Sequence, residues 1–96
     1  MLELRPVCEN CGKDLPNEST EARICSFECT FCAACVESLL HNVCPNCGGG
    51  LEKRPIRPKE KLARFPMKAE RLYKPVDRAA FETLLNRNKN LPPEQR

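Results

Sequence analysis

Eight cysteines in the first 47 residues fall into four pairs, Cys8/Cys11, Cys25/Cys29, Cys32/Cys35 and Cys44/Cys47. Three pairs are spaced C-x2-C and one C-x3-C. Such spacing lets two thiolates from one short turn converge on a tetrahedral metal ion. Eight sulfurs fill two four-coordinate sites with none left over, so the chemistry expected is metal binding, with two Zn2+ per chain. Both shells are closed, whereas a catalytic zinc normally keeps an open position beside three protein ligands. The ions are therefore expected to hold the fold, and no enzymatic activity is assigned. A zinc deaminase would need His-x-Glu and Pro-Cys-x-x-Cys. Here Pro45 follows its cysteine, and His41 is followed by Asn42 and Val43. Eight paired cysteines also suit metal better than a single redox disulfide. His41, the only histidine, reads as a solvated residue at a helix C-terminus.

The elements that must position these ligands follow from the intervening residues. Gly12 permits the tight turn of a metal knuckle, and residues 13–21 form a polar, turn-rich loop. Residues 22–32 mix β-branched, aromatic and cysteine residues, as a short hairpin does. From Ala33 to His41 the pattern turns helical, with Val36, Leu39 and Leu40 making one apolar stripe. Cys44 to Cys47 closes the last knuckle, and Gly48 to Gly50 end the module. The ligand order is C-x2-C-x13-C-x3-C-x2-C-x2-C-x8-C-x2-C. Two independent ribbons would use the pairs in sequence, whereas a cross-brace joins first with third and second with fourth. Spacing favours the cross-brace, because only two residues separate Cys29 from Cys32.

The run Cys29-Thr30-Phe31-Cys32-Ala33-Ala34-Cys35, then a helix, then Cys44-Pro45-Asn46-Cys47, resembles the RING finger, a treble-clef, cross-braced zinc module. Cys29 stands where that family usually has histidine. The resemblance implies one site from Cys8, Cys11, Cys32 and Cys35 and a second from Cys25, Cys29, Cys44 and Cys47. It also implies a docking groove at Leu39, Leu40 and Pro45 for a ubiquitin-conjugating enzyme. Ligases of the family usually place an apolar residue after the first cysteine and often a cation after the last. This chain has Glu9 and Gly48 there, so ligase-like activity ranks below plain protein interaction. From its opening Met-Leu-Glu-Leu-Arg-Pro to Cys47 the sequence is also similar to a family of short bacterial cysteine-rich proteins with no assigned activity.

The expected fold class is thus a small metal-stabilised α+β module, RING-like, with a short hairpin and one central helix. A core this small rarely suffices alone, and structural zinc can supply on the order of 10 kcal/mol. Residues 1–51 form the two-zinc module, and residues 52–96 a basic, proline-punctuated, partly helical arm. No export signal or membrane-spanning stretch is evident, which points to a reducing, cytoplasmic setting and no membrane partner. Charge divides sharply: the module carries a net of −4 and the arm +7. Eight thiolates and two Zn2+ would take the module to −8. Short helices are expected at 59–65 and 67–74, and an amphipathic one at 77–87 capped by Asp77.

The function expected is a zinc-binding adaptor with a protein partner. The alternative is nucleic-acid binding through arm residues 53–74. There Lys53, Arg54, Arg57, Lys59, Lys61, Arg64, Lys68, Arg71 and Lys74 would neutralise phosphates, and Phe65 and Tyr73 would stack on bases. Against it stands fold-back of the basic arm on the acidic module, with Leu62, Phe65, Met67, Leu72, Phe81, Leu84 and Leu85 covering apolar surface.

Overall fold

The computed structural model describes residues 1–96. A single antiparallel bridge between Val7 and Asp14 closes a loop around Cys8 and Cys11. Strands β1 (Ala22–Ile24) and β2 (Thr30–Cys32) form the hairpin, with Ala22 opposite Cys32 and Ile24 opposite Thr30. The far edge of β1 pairs antiparallel with β3 (Glu52–Lys53), so the sheet runs β2–β1–β3. The third strand thus comes from beyond the glycine run that the sequence reading took as the module's end. Every residue of β2 is buried, as suits its β-branched and aromatic composition.

Helix α1 (Ala33–Cys35) grows directly out of β2, with Cys32 still extended at its N-cap, and continues as a π turn over Val36–Leu40. The wider turn closes where the His41 N–H donates to the Val36 carbonyl, an i to i+5 bond. His41 and Asn42 then take left-handed backbone conformations (φ 48° and 60°). That reversal lets the Asn42 side chain accept the Leu51 N–H at 3.0 Å and aims the chain at Cys44. His41 is exposed at the helix end.

The core unites fourteen buried residues, six of them cysteines, around Phe31, Leu40 and Leu51. So sulfurous a core has less apolar area than its size suggests, and the second half of the chain adds to it. Helix α2 (Lys59–Leu62) is a single turn, whereas α3 (Arg78–Asn88) is capped by the Asp77 carboxylate, which accepts the Ala80 N–H at 3.2 Å. Phe81 of α3 is buried in the core, with Val76, Leu84 and Leu85 packed against it. The helix expected at 67–74 does not form. Pro66 and Pro75 leave too few residues to nucleate one, and the backbone is used otherwise: Lys68 N–H donates to the Leu4 carbonyl and Lys74 N–H to that of Glu9. The segment therefore runs alongside residues 4–9 in the same direction.

Arg54, read from the sequence as a phosphate contact, is instead the largest fully buried side chain, 1% exposed. Its backbone N–H donates to the Ala22 carbonyl at 3.0 Å, continuing the β1–β3 pairing. Its guanidinium donates to the carbonyls of Arg5 (2.8 Å), Leu15 (3.0 Å) and Pro16 (2.9 Å), while its Nε has no partner. Burial lowers its pKa, and no carboxylate compensates the charge. What retains it is geometry: a planar fork satisfies three carbonyls of an irregular loop that no strand partners. Arg54→Ala should destabilise the metal-loaded protein by about 3 kcal/mol, since it orphans those carbonyls and opens a cavity. Arg54→Lys should fall between, because one ammonium cannot span the fork. Denaturant midpoints of the three proteins check the order.

Candidate metal centre

Two groups of thiols converge, each at a junction between elements. The first gathers Cys8 and Cys11 from the N-terminal turn with Cys32 at the end of β2 and Cys35 at the end of α1. All four sulfurs lie within 4.8 Å of one another. Cys8 Sγ is 3.9 Å from Cys35 Sγ, and Cys11 Sγ is 3.7 Å from Cys32 Sγ. A tetrahedron with metal–sulfur bonds near 2.3 Å has edges of about 3.8 Å. These separations therefore fit four thiolates around one ion and are far too long for disulfides. All eight cysteines are free thiols.

The second group gathers Cys25 at the hairpin tip with Cys44 and Cys47 from the turn after the helix, again within 4.8 Å of one another. Cys29, the fourth ligand that the RING resemblance implies, lies outside this group. The Cys25–Cys29 loop is tied by Cys25 N–H to the Cys29 carbonyl (3.2 Å) and Glu28 N–H to that of Cys25 (3.0 Å), with Glu28 left-handed at φ 68°.

The two terminal knuckles share one sequence, Cys-x-Asn-Cys-Gly, at 8–12 and 44–48. In both, the glycine N–H donates to the first cysteine's carbonyl, at 2.9 Å for Gly12 and 2.8 Å for Gly48. Both glycines have positive φ, 78° and 79°, which explains the residue type. In both, the asparagine side chain reaches another element: Asn10 Nδ2 donates to Cys35 Sγ at 3.3 Å, and Asn46 Nδ2 to Glu9 Oε1 at 3.4 Å. Backbone N–H groups add to the shell, Phe27 to Cys25 Sγ at 3.3 Å and Gly49 to Cys47 Sγ at 3.4 Å. Sequence reasoning passed over both asparagines, although the repeated five-residue pattern around the glycines was the signal for them.

Electrostatics give these donors their purpose. Burial pushes the Cys35 thiol up to about 12, with the Asn10 amide working the other way. Burial also raises Cys44 and Cys29, the latter opposed by Asn46. Left alone, such thiols stay protonated at neutral pH. A divalent ion reverses this, because coordination deprotonates a thiol outright, and N–H donors then share the thiolate charge. Each group keeps one exposed member, Cys11 and Cys47, as a route for an ion to enter.

The arm touches both knuckles. Asn10 Oδ1 accepts the Val76 N–H at 3.0 Å, and Asn88 Nδ2 donates to the Gly48 carbonyl at 3.0 Å. Glu9, buried to 3% exposure, joins three segments: its carboxylate accepts Thr30 N–H (3.0 Å), Asn46 Nδ2 (3.4 Å) and Arg5 (3.2 Å). Of the basic residues read as phosphate contacts, four are engaged within the chain. Arg57 donates to the carbonyls of Phe65 and Leu2, Lys68 pairs with Glu3 and Arg71 with Asp14, in addition to buried Arg54. No helix is long and apolar enough to cross a membrane.

A family described as a protein of unknown function, DUF1272, matches residues 1–57. Over 75 residues the chain is 55% identical to an uncharacterised protein of Rhizobium meliloti (strain 1021), covering 78% of this chain and 89% of that relative. No solved structure matches. The chain belongs to the DUF1272 family, and the matched span holds every cysteine together with Asn10 and Arg54. Asn10→Ala should weaken metal binding at the Cys8/Cys11/Cys32/Cys35 group about 10- to 100-fold, as loss of an outer-shell donor does. It should also speed amide exchange at Val76 and leave the other group unchanged. Competition with a chromophoric chelator and hydrogen exchange read the two effects.

Proposed function

We propose that this chain is a non-enzymatic zinc-binding adaptor, in which two structural zinc ions brace a RING-like module whose surface engages a protein partner. The observation that carries the zinc reading is the first thiol group: it joins the first and third cysteine pairs at tetrahedral spacing, the connection a cross-brace requires. Cys25, Cys29, Cys44 and Cys47 would hold the second ion. Thiolate-only shells select soft or borderline ions, and zinc is the commonest tetrahedral one. The setting proposed is reducing and cytoplasmic, where thiols stay available as metal ligands.

Residues 52–96 act in this reading as a structural arm on the 1–51 module, supported by Arg54, Val76, Phe81 and Asn88. Engagement of Arg54, Arg57, Lys68 and Arg71 within the chain favours a protein partner over nucleic acid. Large exposed side chains remain for such a partner, chiefly Phe27 at 71% and Tyr73 at 60% exposure. Aromatic residues are the usual anchors of protein interfaces.

Native mass spectra of untagged protein, purified without added metal, should show two zincs per chain and eight reduced thiols after metal removal. One zinc or none, with mass lost as disulfide hydrogens in a sample kept from air, would overturn the reading. A partner recovered from the source cells should be lost on Phe27→Ala or Tyr73→Ala substitution. Salt-sensitive binding of an arbitrary oligonucleotide with no such partner would instead favour the basic arm.

A further inference from the structure

The two thiol groups are not equivalent. In the first, all four sulfurs are mutually within 4.8 Å, and the Asn10 amide holds Cys35 inside that set. In the second, only Cys25, Cys44 and Cys47 are so placed, and the matching amide of Asn46 donates to the Glu9 carboxylate at 3.4 Å. The difference has a local cause. Cys25 and Cys29 are the one pair spaced C-x3-C, at the two ends of the β1–β2 turn, with Glu28 left-handed just before Cys29. The backbone donors from within their own turns, Phe27 to Cys25 and Gly49 to Cys47, serve two of the three converged sulfurs of this group. Buried Glu9 accepts the Asn46 amide at 3.4 Å, which sets a carboxylate against the Cys44–Cys47 turn.

We infer that the two groups hold metal unequally: Cys8, Cys11, Cys32 and Cys35 form a permanent site, and Cys25, Cys44 and Cys47 an exchangeable one whose fourth position passes between Cys29 and an external thiol. The exchange is ligand substitution without redox change. An incoming thiol binds the ion as thiolate and passes its proton to the departing Cys29 sulfur, so the charge of the shell is conserved. The second site is then where zinc enters, leaves, or passes to the thiolates of another molecule. This inference rests on the zinc reading above and goes beyond it.

The test uses the full chain loaded with two zincs, challenged with EDTA in the presence or absence of glutathione and followed by native mass spectrometry. One zinc should leave at least about tenfold faster than the other, as expected when a shell lacks a fixed contribution, and glutathione should quicken that phase alone. Alkylation of the one-zinc species with N-ethylmaleimide should label Cys25, Cys29, Cys44 and Cys47 and spare the other four. Cys29→Ser should still bind two zincs, whereas Cys44→Ser should bind one. Loss of both ions at one rate, labelling of Cys8, Cys11, Cys32 and Cys35 first, or a single zinc on Cys29→Ser would each overturn the inference. A wild-type chain that takes up no zinc would instead overturn the zinc reading itself.

Discussion

The constraint on which everything else turns is that this fold buries sulfur where a larger protein would bury hydrocarbon. Six of the fourteen core residues are cysteines, and burial alone keeps such thiols protonated and contributes little area. A thiol core becomes strong only when an ion converts it into a set of short, directional bonds. That requirement dictates local geometry: each ligand pair must sit where the backbone turns, and each turn needs its own hydrogen bonds because no strand partners it. Gly12 and Gly48 meet that need with positive φ and an N–H returned to the first cysteine's carbonyl. The loops between knuckles have the same problem of unpaired carbonyls, and the buried Arg54 fork answers it at Leu15 and Pro16.

The second half of the chain is built onto those same weak points. Both knuckle glycines are covered from outside: a Cβ on Gly12 would sit 3.6 Å from the Tyr73 ring, and one on Gly48 only 2.7 Å from Asn88 Nδ2. Arg96 donates to the Asn42 carbonyl at 2.7 Å, beside the left-handed reversal that leads to Cys44. These contacts are directed at backbone, so they select a shape rather than a charge. Charge acts over longer range in the same sense. A module whose thiols ionised around bound metal would gain negative charge and attract a +7 arm more strongly than the metal-free module. Metal occupancy and arm docking thereby favour one another, and exposed pairs such as Arg71 with Asp14 contribute only modestly to it.

Much of this was legible from residue types. The hairpin over 22–32, the helical turn after Cys32, the Asp77 cap and the apolar face with Phe81 follow from short-range patterns that tertiary context did not oppose. The spacing of Cys8, Cys11, Cys32 and Cys35 likewise sufficed, with the RING resemblance, to expect their convergence. What escaped the sequence depends on distant partners. Residues 67–74 have helical composition, yet the N–H groups of Lys68 and Lys74 are claimed by carbonyls at Leu4 and Glu9. Arg54 looks like any other member of a basic run until the fold places three carbonyls around it. The position of Cys29 depends on how wide one three-residue turn opens, and spacing alone does not set that width.

Glu9 sets this chain apart from the RING ligases that its cysteine pattern resembles. In those ligases the residue after the first cysteine is usually apolar. Here that position carries a carboxylate turned inward, tying the start of β2, the second knuckle and Arg5 together while its backbone carbonyl receives Lys74. Leu40 is wholly buried, and Leu39 packs against the core alongside Leu84 and Leu85 of α3. Pro45 and Phe31 face Val76, Ala80 and Phe81 across a cavity of about 280 Å3. A conjugating enzyme seeking the groove would have to displace α3 and uncover Phe81, a side chain whose burial is worth about 2 to 3 kcal/mol. The apolar face around Phe31 and Pro45 is thus met by the chain's own helix, while Phe27 and Tyr73 stay exposed.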